Sequence, residues 1–113
     1  MVYDTAKKLA DELRASDEYR AYAEAKAHAM ESDTTRTLID EYHRLQIQAQ
    51  AATVAGGNRD ELLQKLQKIG EVLQFDAAAS AFLLAEFRLN RMLADVYKTL
   101  AAAADMDLSQ LES

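Results

Sequence analysis

Residues 77–104 have the sequence AAASAFLLAEFRLNRMLADVYKTLAAAA, which contains neither proline nor glycine. Apolar side chains recur in it at intervals of three, four or seven residues, and such intervals place them on one face of an α-helix. The stripe consists of Phe82, Leu89, Leu93, Val96 and Leu100. This segment therefore predicts a long C-terminal helix with one buried face.

The length of this helix predicts the shape of the molecule. A helix over 77–104 is about 42 Å long at 1.5 Å per residue. A compact chain of 113 residues has a radius of gyration near 13 Å, so a diameter of only about 34 Å. The last helix exceeds that diameter, which indicates an elongated bundle.

The rest of the chain is also helical in composition and periodicity. It contains no proline and three glycines, and its common residues are good helix formers. The predicted helices span 3–15, 17–31, 34–55, 59–75 and 77–104. The predicted N-caps are Ser16, Asp33, Asn58 and Asp76, whose side chains can accept free N–H groups, and Gly56-Gly57 is a predicted helix stop. We expect an all-α, elongated antiparallel bundle of about five helices, with one domain over 1–104 and a short polar tail over 105–113.

Several apolar residues lie off the main stripes. They are Leu83, Leu84, Phe87 and Met92 in the last helix and Leu63 and Val72 in the fourth. A helix that is apolar on more than one face is usually buried on more than one face. We therefore expect a homodimer or higher homo-oligomer through the fourth and fifth helices, with Leu83, Phe87 and Met92 in the contact. The alternative is that these residues are the core of a tight monomer.

Charge and cysteine content restrict the function. The formal net charge is −6, and an acidic surface repels phosphate backbones, so direct nucleic-acid binding is not expected. The absence of cysteine excludes disulfides, thiolate ligands and cysteine nucleophiles in this chain. The first residues do not resemble a signal peptide, and no apolar run approaches the roughly 20 residues of a membrane span. We expect a cytoplasmic protein with no membrane contact and no cofactor.

The two histidines each have a nearby carboxylate. Glu24 precedes His28 by four residues and Asp40 precedes His43 by three, so each pair lies on one helical face. This spacing is typical of surface ion pairs. The alternative is a metal-binding or catalytic site built from Asp40, His43, Glu24 and His28, because Glu-x-x-His pairs form di-iron centres in some helical bundles. No glycine-rich phosphate loop or nucleophile motif accompanies them.

Two tyrosines form a further candidate site. Tyr19 and Tyr22 lie together on the second helix, beside Lys26. Tyrosines pack on a bundle with the hydroxyl in water, and they are also common at interfaces. Packing on the bundle and a surface for a protein partner are both compatible with this pattern.

The order and spacing of these motifs resemble the YlbF/YmcA family of bacterial regulators over residues 3 to about 100. The matching segments are Tyr3-Asp4-x-Ala6-x-x-Leu9-Ala10, Ser16-x-Glu18-Tyr19-x-x-Tyr22, Asp33 before Leu38-Ile39-x-x-Tyr42, Gln46, Gly56-Gly57 and Ala85-Glu86-x-x-Leu89-x-x-x-Leu93.

The resemblance implies a helical, oligomeric, non-enzymatic regulatory adaptor. It implies roles in competence, sporulation and biofilm control, and in RNA processing with helical paralogues and an endoribonuclease. Some members of that complex carry a cysteine-rich tail associated with an iron–sulfur cluster, whereas this chain has no cysteine. Iron–sulfur ligation is therefore not transferred to it.

Overall fold

The computed structural model of the protein describes residues 1–57 and 59–105, which form five α-helices and no strand. The helices are α1 (Val2–Arg14), α2 (Asp17–Ala29), α3 (Asp33–Val54), α4 (Asp60–Leu73) and α5 (Ala77–Ala104). Each predicted range agrees with the observed helix to within two residues at either end. The all-α prediction is therefore confirmed, while the predicted tail beyond Asp105 lies outside the described residues.

Side-chain caps start two of the helices at the predicted positions. The Ser16 hydroxyl accepts the Tyr19 N–H at the start of α2, at 3.2 Å. A carboxylate oxygen of Asp76 accepts the Ala79 N–H at the start of α5, at 3.1 Å. Both bonds satisfy an N–H group that lacks a partner within its helix.

The predicted cap of α3 is wrong by one residue. Ser32 occupies the N-cap position with an extended backbone, and its hydroxyl accepts the Thr35 N–H. Asp33 is the first helical residue. Its negative carboxylate interacts favourably there with the positive end of the helix dipole. At α4 the cap position is Arg59, which makes no side-chain cap bond, and the predicted cap Asn58 lies outside the described residues.

The two glycines end α3 as predicted. Gly56 has φ +73°, in the left-handed region that glycine enters without steric cost. Its N–H donates to the Thr53 carbonyl at 3.2 Å, and the Gly57 N–H donates to the Ala52 carbonyl at 2.8 Å. This pair of bonds is a Schellman motif, and it turns the chain into the antiparallel α4.

The molecule is a thin, elongated bundle, as its sequence predicts. Its Cα atoms have a radius of gyration of 16.6 Å and extend over 46 × 37 × 15 Å. The most extensive helix pairs are α2 with α5 and α3 with α4. A thickness of 15 Å corresponds to about two layers of helices at the usual 8–10 Å spacing.

One buried cluster joins four of the helices. It consists of Ala29, Ile39, Leu73, Ala79 and Phe82. These residues come from the end of α2, the first half of α3, the end of α4 and the start of α5. The core therefore lies where these four segments meet, and α1 contributes no buried residue.

The outer part of α5 differs from the sequence prediction. Leu100, which belongs to the predicted buried stripe, is 57% exposed. The partner helix α2 has 13 residues whereas α5 has 28, so α2 covers at most about 20 Å of its roughly 42 Å length. The periodicity correctly identified the face that carries the buried Phe82 and Leu89, but Leu100 near the end of α5 is exposed although its neighbour Ala101 is buried. In the described part of the chain, no helix is long and apolar enough to cross a membrane.

Candidate interaction surfaces

A contact between α3 and α5 fixes His43. Its Nε2 lies 2.8 Å from Oε1 of Glu86, and both side chains are about one-quarter to one-third exposed. The imidazole also meets the Phe82 ring edge-on, with the ring centroids 6.1 Å apart. The predicted pairing of His43 with Asp40 is therefore wrong, because the carboxylate that reaches the imidazole comes from another helix.

His28 also has a different partner from the predicted one. Its Nδ1 lies 3.5 Å from a carboxylate oxygen of Glu31, and both side chains are more than 70% exposed. The predicted pair with Glu24 is wrong. Among the residues the structure describes, no group of three or more His, Asp or Glu side chains could hold a metal ion. The structure does not bring the two candidate pairs together into one site.

We expect His43→Ala to lower the free energy of unfolding by about 1–2 kcal/mol. The variant loses the bond to Glu86 and the ring contact with Phe82, and partly buried polar contacts of this kind contribute amounts of this order. Urea unfolding followed by circular dichroism measures the change. His28→Ala is the matched control, since its exposed pair should contribute less than about 0.5 kcal/mol. Equal losses in the two variants would contradict a structural role for His43.

Asp76 links the start of α5 to the start of α3. Besides capping α5, its Oδ2 accepts the Thr35 hydroxyl at 2.5 Å. Thr35 is buried, with 5% of its surface exposed. The hydrogen bond from Thr35 is the main reason that the pKa of the Asp76 carboxyl lies below its usual value. On the exposed side of α3, the hydrogen bond from Arg44 likewise lowers the pKa of Glu41.

Tyr19 and Tyr22 pack on the bundle. The Tyr22 ring lies 5.6 Å from the Phe82 ring and 6.5 Å from the Tyr19 ring, between centroids. Both tyrosines are half-buried, and the Lys26 ammonium lies 5.8 Å from the Tyr22 centroid. Tyr22 therefore belongs largely to the edge of the core, and a partner surface at these residues stays a prediction.

The predicted self-association residues on α5 have different environments. Leu83 packs against the buried cluster and Met92 is half-buried. Phe87, by contrast, is 63% exposed, and Leu84 three residues before it is 51% exposed. Residues three apart are neighbours on a helix surface, so Leu84 and Phe87 form one apolar patch, which we call the outer face of α5.

Apolar residues of α4 and of the turn that follows it are also exposed. Leu63 and Val72 on α4 are 41% and 53% exposed, respectively. Phe75, in the turn between α4 and α5, is 86% exposed and was not singled out from the sequence. An apolar residue just before an N-cap usually packs on the fourth helical residue. That residue is Ser80 here, so Phe75 has no apolar partner in this position.

These features define an elongated all-α protein whose longest helix carries apolar side chains on a surface its own chain leaves open. The model of the family described as "Control of competence regulator ComK, YlbF/YmcA" matches residues 2–104. The chain belongs to this YlbF/YmcA family.

Relatives of nearly the same length support the assignment. A "UPF0342 protein" of Symbiobacterium thermophilum is 32% identical over 108 residues, covering 95% of this chain and 96% of that protein. A "UPF0342 protein" of Halothermothrix orenii is 29% identical over 98% of this chain and 95% of its own length. A Staphylococcus aureus relative of the same description is 30% identical over 92% of both chains. The similarity to these bacterial proteins thus extends over the whole bundle.

Proposed function

We propose that this protein is a non-enzymatic regulatory adaptor that acts through protein–protein contacts in the cytoplasm. The observation that carries the proposal is the outer face of α5, where Leu84 and Phe87 are 51% and 63% exposed on a rigid helix. Large apolar and aromatic side chains on a helix surface are typical anchors of protein interfaces. The family's link to competence regulation supports a regulatory role.

The finer proposal concerns the partners. We assign the outer face of α5, with Phe87 as its anchor and Leu83 and Met92 at its border, to self-association through α4 and α5. Leu63 and Val72 of α4 are also exposed, and we assign them to the same contact. Tyr19 and Tyr22 on α2 are the proposed surface for other proteins, with helical paralogues and an endoribonuclease as candidates. The net charge of −6 favours a protein partner over direct contact with RNA.

Affinity capture from native extract, with nuclease treatment and mass spectrometry, tests this function. We expect wild-type bait to retain a defined set of proteins, including an endoribonuclease or helical paralogues. The Tyr19→Ala/Tyr22→Ala double variant should retain at least about tenfold less of them if these rings are anchors, since an anchor contributes more than about 1–2 kcal/mol. Its circular dichroism must show the native helix content, because Tyr22 contacts Phe82. The matched control is Val54→Ala. Val54 is the last residue of α3 and is 83% exposed, so this variant should retain the same proteins as the wild type.

If the wild type, the double tyrosine variant and Val54→Ala all capture the same proteins, the partner surface does not lie at Tyr19 and Tyr22. Capture of nothing beyond the bait itself by the wild type would contradict the adaptor function.

A further inference from the structure

Two arginines lie beside the exposed apolar residues of α5. Leu84, Phe87, Arg88 and Arg91 follow one another at helical spacing, so their side chains are neighbours on one side of the helix. Both arginines are exposed, and neither forms an ion pair with another residue in the described part of the chain. The outer face of α5 therefore has a basic edge, formed by Arg88 and Arg91.

The acidic residues of α5 do not neutralise this edge. Glu86 lies on the inner side of the helix, where its Oε1 is 2.8 Å from Nε2 of His43. Asp95 is exposed one turn beyond Arg91, but no ion pair joins these two side chains. An unpaired guanidinium can donate two parallel N–H bonds to a carboxylate. The basic edge thus offers donors for which α5 supplies no acceptor.

The net charge of −6 does not prevent an acidic partner from binding at this edge. At physiological ionic strength, exposed charges more than about 8 Å apart are largely screened from one another. Glu86 and Asp95 are the only carboxylates among the 28 residues of α5. The charges that a ligand meets on this part of the helix are therefore mainly those of the two arginines.

The combination of apolar and basic side chains selects the kind of partner. A two-fold contact between copies puts the same patch on both sides, so it covers Leu84 and Phe87 but adds two further arginines to the contact. RNA supplies phosphates, but two cations neutralise only about two of them, and Leu84 would have no apolar partner. A protein segment with both carboxylates and apolar side chains satisfies all four residues.

We propose that the outer face of α5 and its basic edge bind an acidic, amphipathic helical segment of another protein. An apolar side chain of this segment packs on Leu84 and Phe87, and its carboxylates accept hydrogen bonds from Arg88 and Arg91. The proposal rests on the proposed function, which makes the outer face of α5 a protein contact, and it adds the regulation of that surface. A bound segment excludes a second copy, because both contacts use Phe87.

Two fluorescein-labelled synthetic peptides test the proposal. Both carry leucine and phenylalanine at helical spacing, and the remaining positions are glutamate in the acidic probe and glutamine in the neutral probe. Fluorescence anisotropy with the full chain measures both affinities. We expect the acidic probe to bind about fivefold more tightly, because it gains two exposed charge pairs. Phe87→Ala should weaken both probes about tenfold, since it removes the apolar anchor.

Two charge variants locate the contact. Arg88→Glu/Arg91→Glu should weaken the acidic probe at least about tenfold, because attraction is replaced by repulsion at both positions. The matched control is Lys7→Glu/Lys8→Glu, which makes the same change of net charge at two exposed residues of α1. This control should change the affinity by less than about twofold.

Four outcomes overturn the proposal. They are the absence of saturable binding of the acidic probe to the wild type, equal affinity of the wild type for the two probes, and equal weakening by the two glutamate variants. The fourth is a single-stranded RNA of the same length that binds more tightly than the acidic probe and loses its affinity in Arg88→Glu/Arg91→Glu. That result would assign the surface to nucleic acid.

Light scattering distinguishes this proposal from the proposed self-association. The acidic probe should shift a self-associated wild type towards the mass of one chain. A wild type that is a single chain throughout and still binds the probe contradicts self-association alone. A self-associated wild type whose mass stays unchanged with the probe bound overturns the exclusion of a second copy.

Discussion

Phe82→Ala is expected to remove about 3–5 kcal/mol from the free energy of unfolding, the usual loss for a buried phenylalanine. Phe82 is 2% exposed and lies in the cluster that joins four helices. Its ring contacts both Tyr22 of α2 and His43 of α3. A loss of this size is a large fraction of the 5–15 kcal/mol of total stability typical of a folded protein, so the variant should unfold at a much lower urea concentration than the wild type.

The same helix offers a matched control. Phe87 is 63% exposed, so Phe87→Ala should change the stability of the single chain by less than about 1 kcal/mol. Urea unfolding of both variants, at one low protein concentration, measures the difference. Stability that depends on self-association varies with protein concentration. Repeated at several higher concentrations, the unfolding of Phe87→Ala should therefore depend less on concentration than that of the wild type. Equal destabilisation of the two variants would contradict the assignment of Phe82 to the core and Phe87 to a surface.

Asp76→Ala is expected to lower the free energy of unfolding by about 2–4 kcal/mol. The variant loses the cap of α5, worth about 0.5–2 kcal/mol, and leaves the buried Thr35 hydroxyl without its acceptor, which costs a further 1–3 kcal/mol or so. Thermal or urea unfolding measures the sum. Asp33→Ala is the control, because Asp33 lies in the first turn of α3 but does not cap it. The free energy of unfolding of Asp33→Ala should fall by less than about 1 kcal/mol.

The same carboxylate predicts a pH dependence. The folded protein lowers the pKa of Asp76, chiefly through the Thr35 hydroxyl. A carboxyl with a depressed folded pKa stabilises the fold fully above its unfolded pKa of about 3.9, and that stability is lost as pH falls through the folded pKa. Asparagine can still cap α5 but does not titrate. Asp76→Asn should therefore lose less stability than the wild type as the pH falls. If the wild type and Asp76→Asn lose stability in parallel below pH ~4, the predicted contribution of Asp76 is contradicted.

The sequence predicted those features that depend on residues within about four positions. The caps at Ser16 and Asp76 and the stop at Gly56-Gly57 are local hydrogen-bond patterns, so all three were predictable. The off-by-one cap of α3 reflects two adjacent residues, Ser32 and Asp33, that are both good caps. Helical spacing alone cannot choose between them.

Contacts between distant residues were not predictable in this way. His43 and Glu86 are 43 positions apart, and Thr35 and Asp76 are 41 apart. Helical spacing identified the nearer Asp40 for His43, because it contains no information on which helix lies opposite. The error for His28 has another origin, since its partner Glu31 is only three positions away. For the same reason, periodicity predicted the apolar stripe of α5, but the exposure of Leu100 within it became visible only in the structure.

The proposed adaptor and the proposed self-association through α4 and α5 share one requirement. The apolar surface that the single chain leaves open must be covered by protein in the working molecule, and first of all by a second copy. Size-exclusion chromatography with light scattering, over a range of micromolar concentrations, measures whether this is so. We expect a mass of at least two chains for the wild type and a shift towards a single chain of 12.6 kDa for Phe87→Asp, which places a charge in the proposed apolar contact. A wild-type protein that stays at the mass of one chain throughout would contradict the proposed self-association.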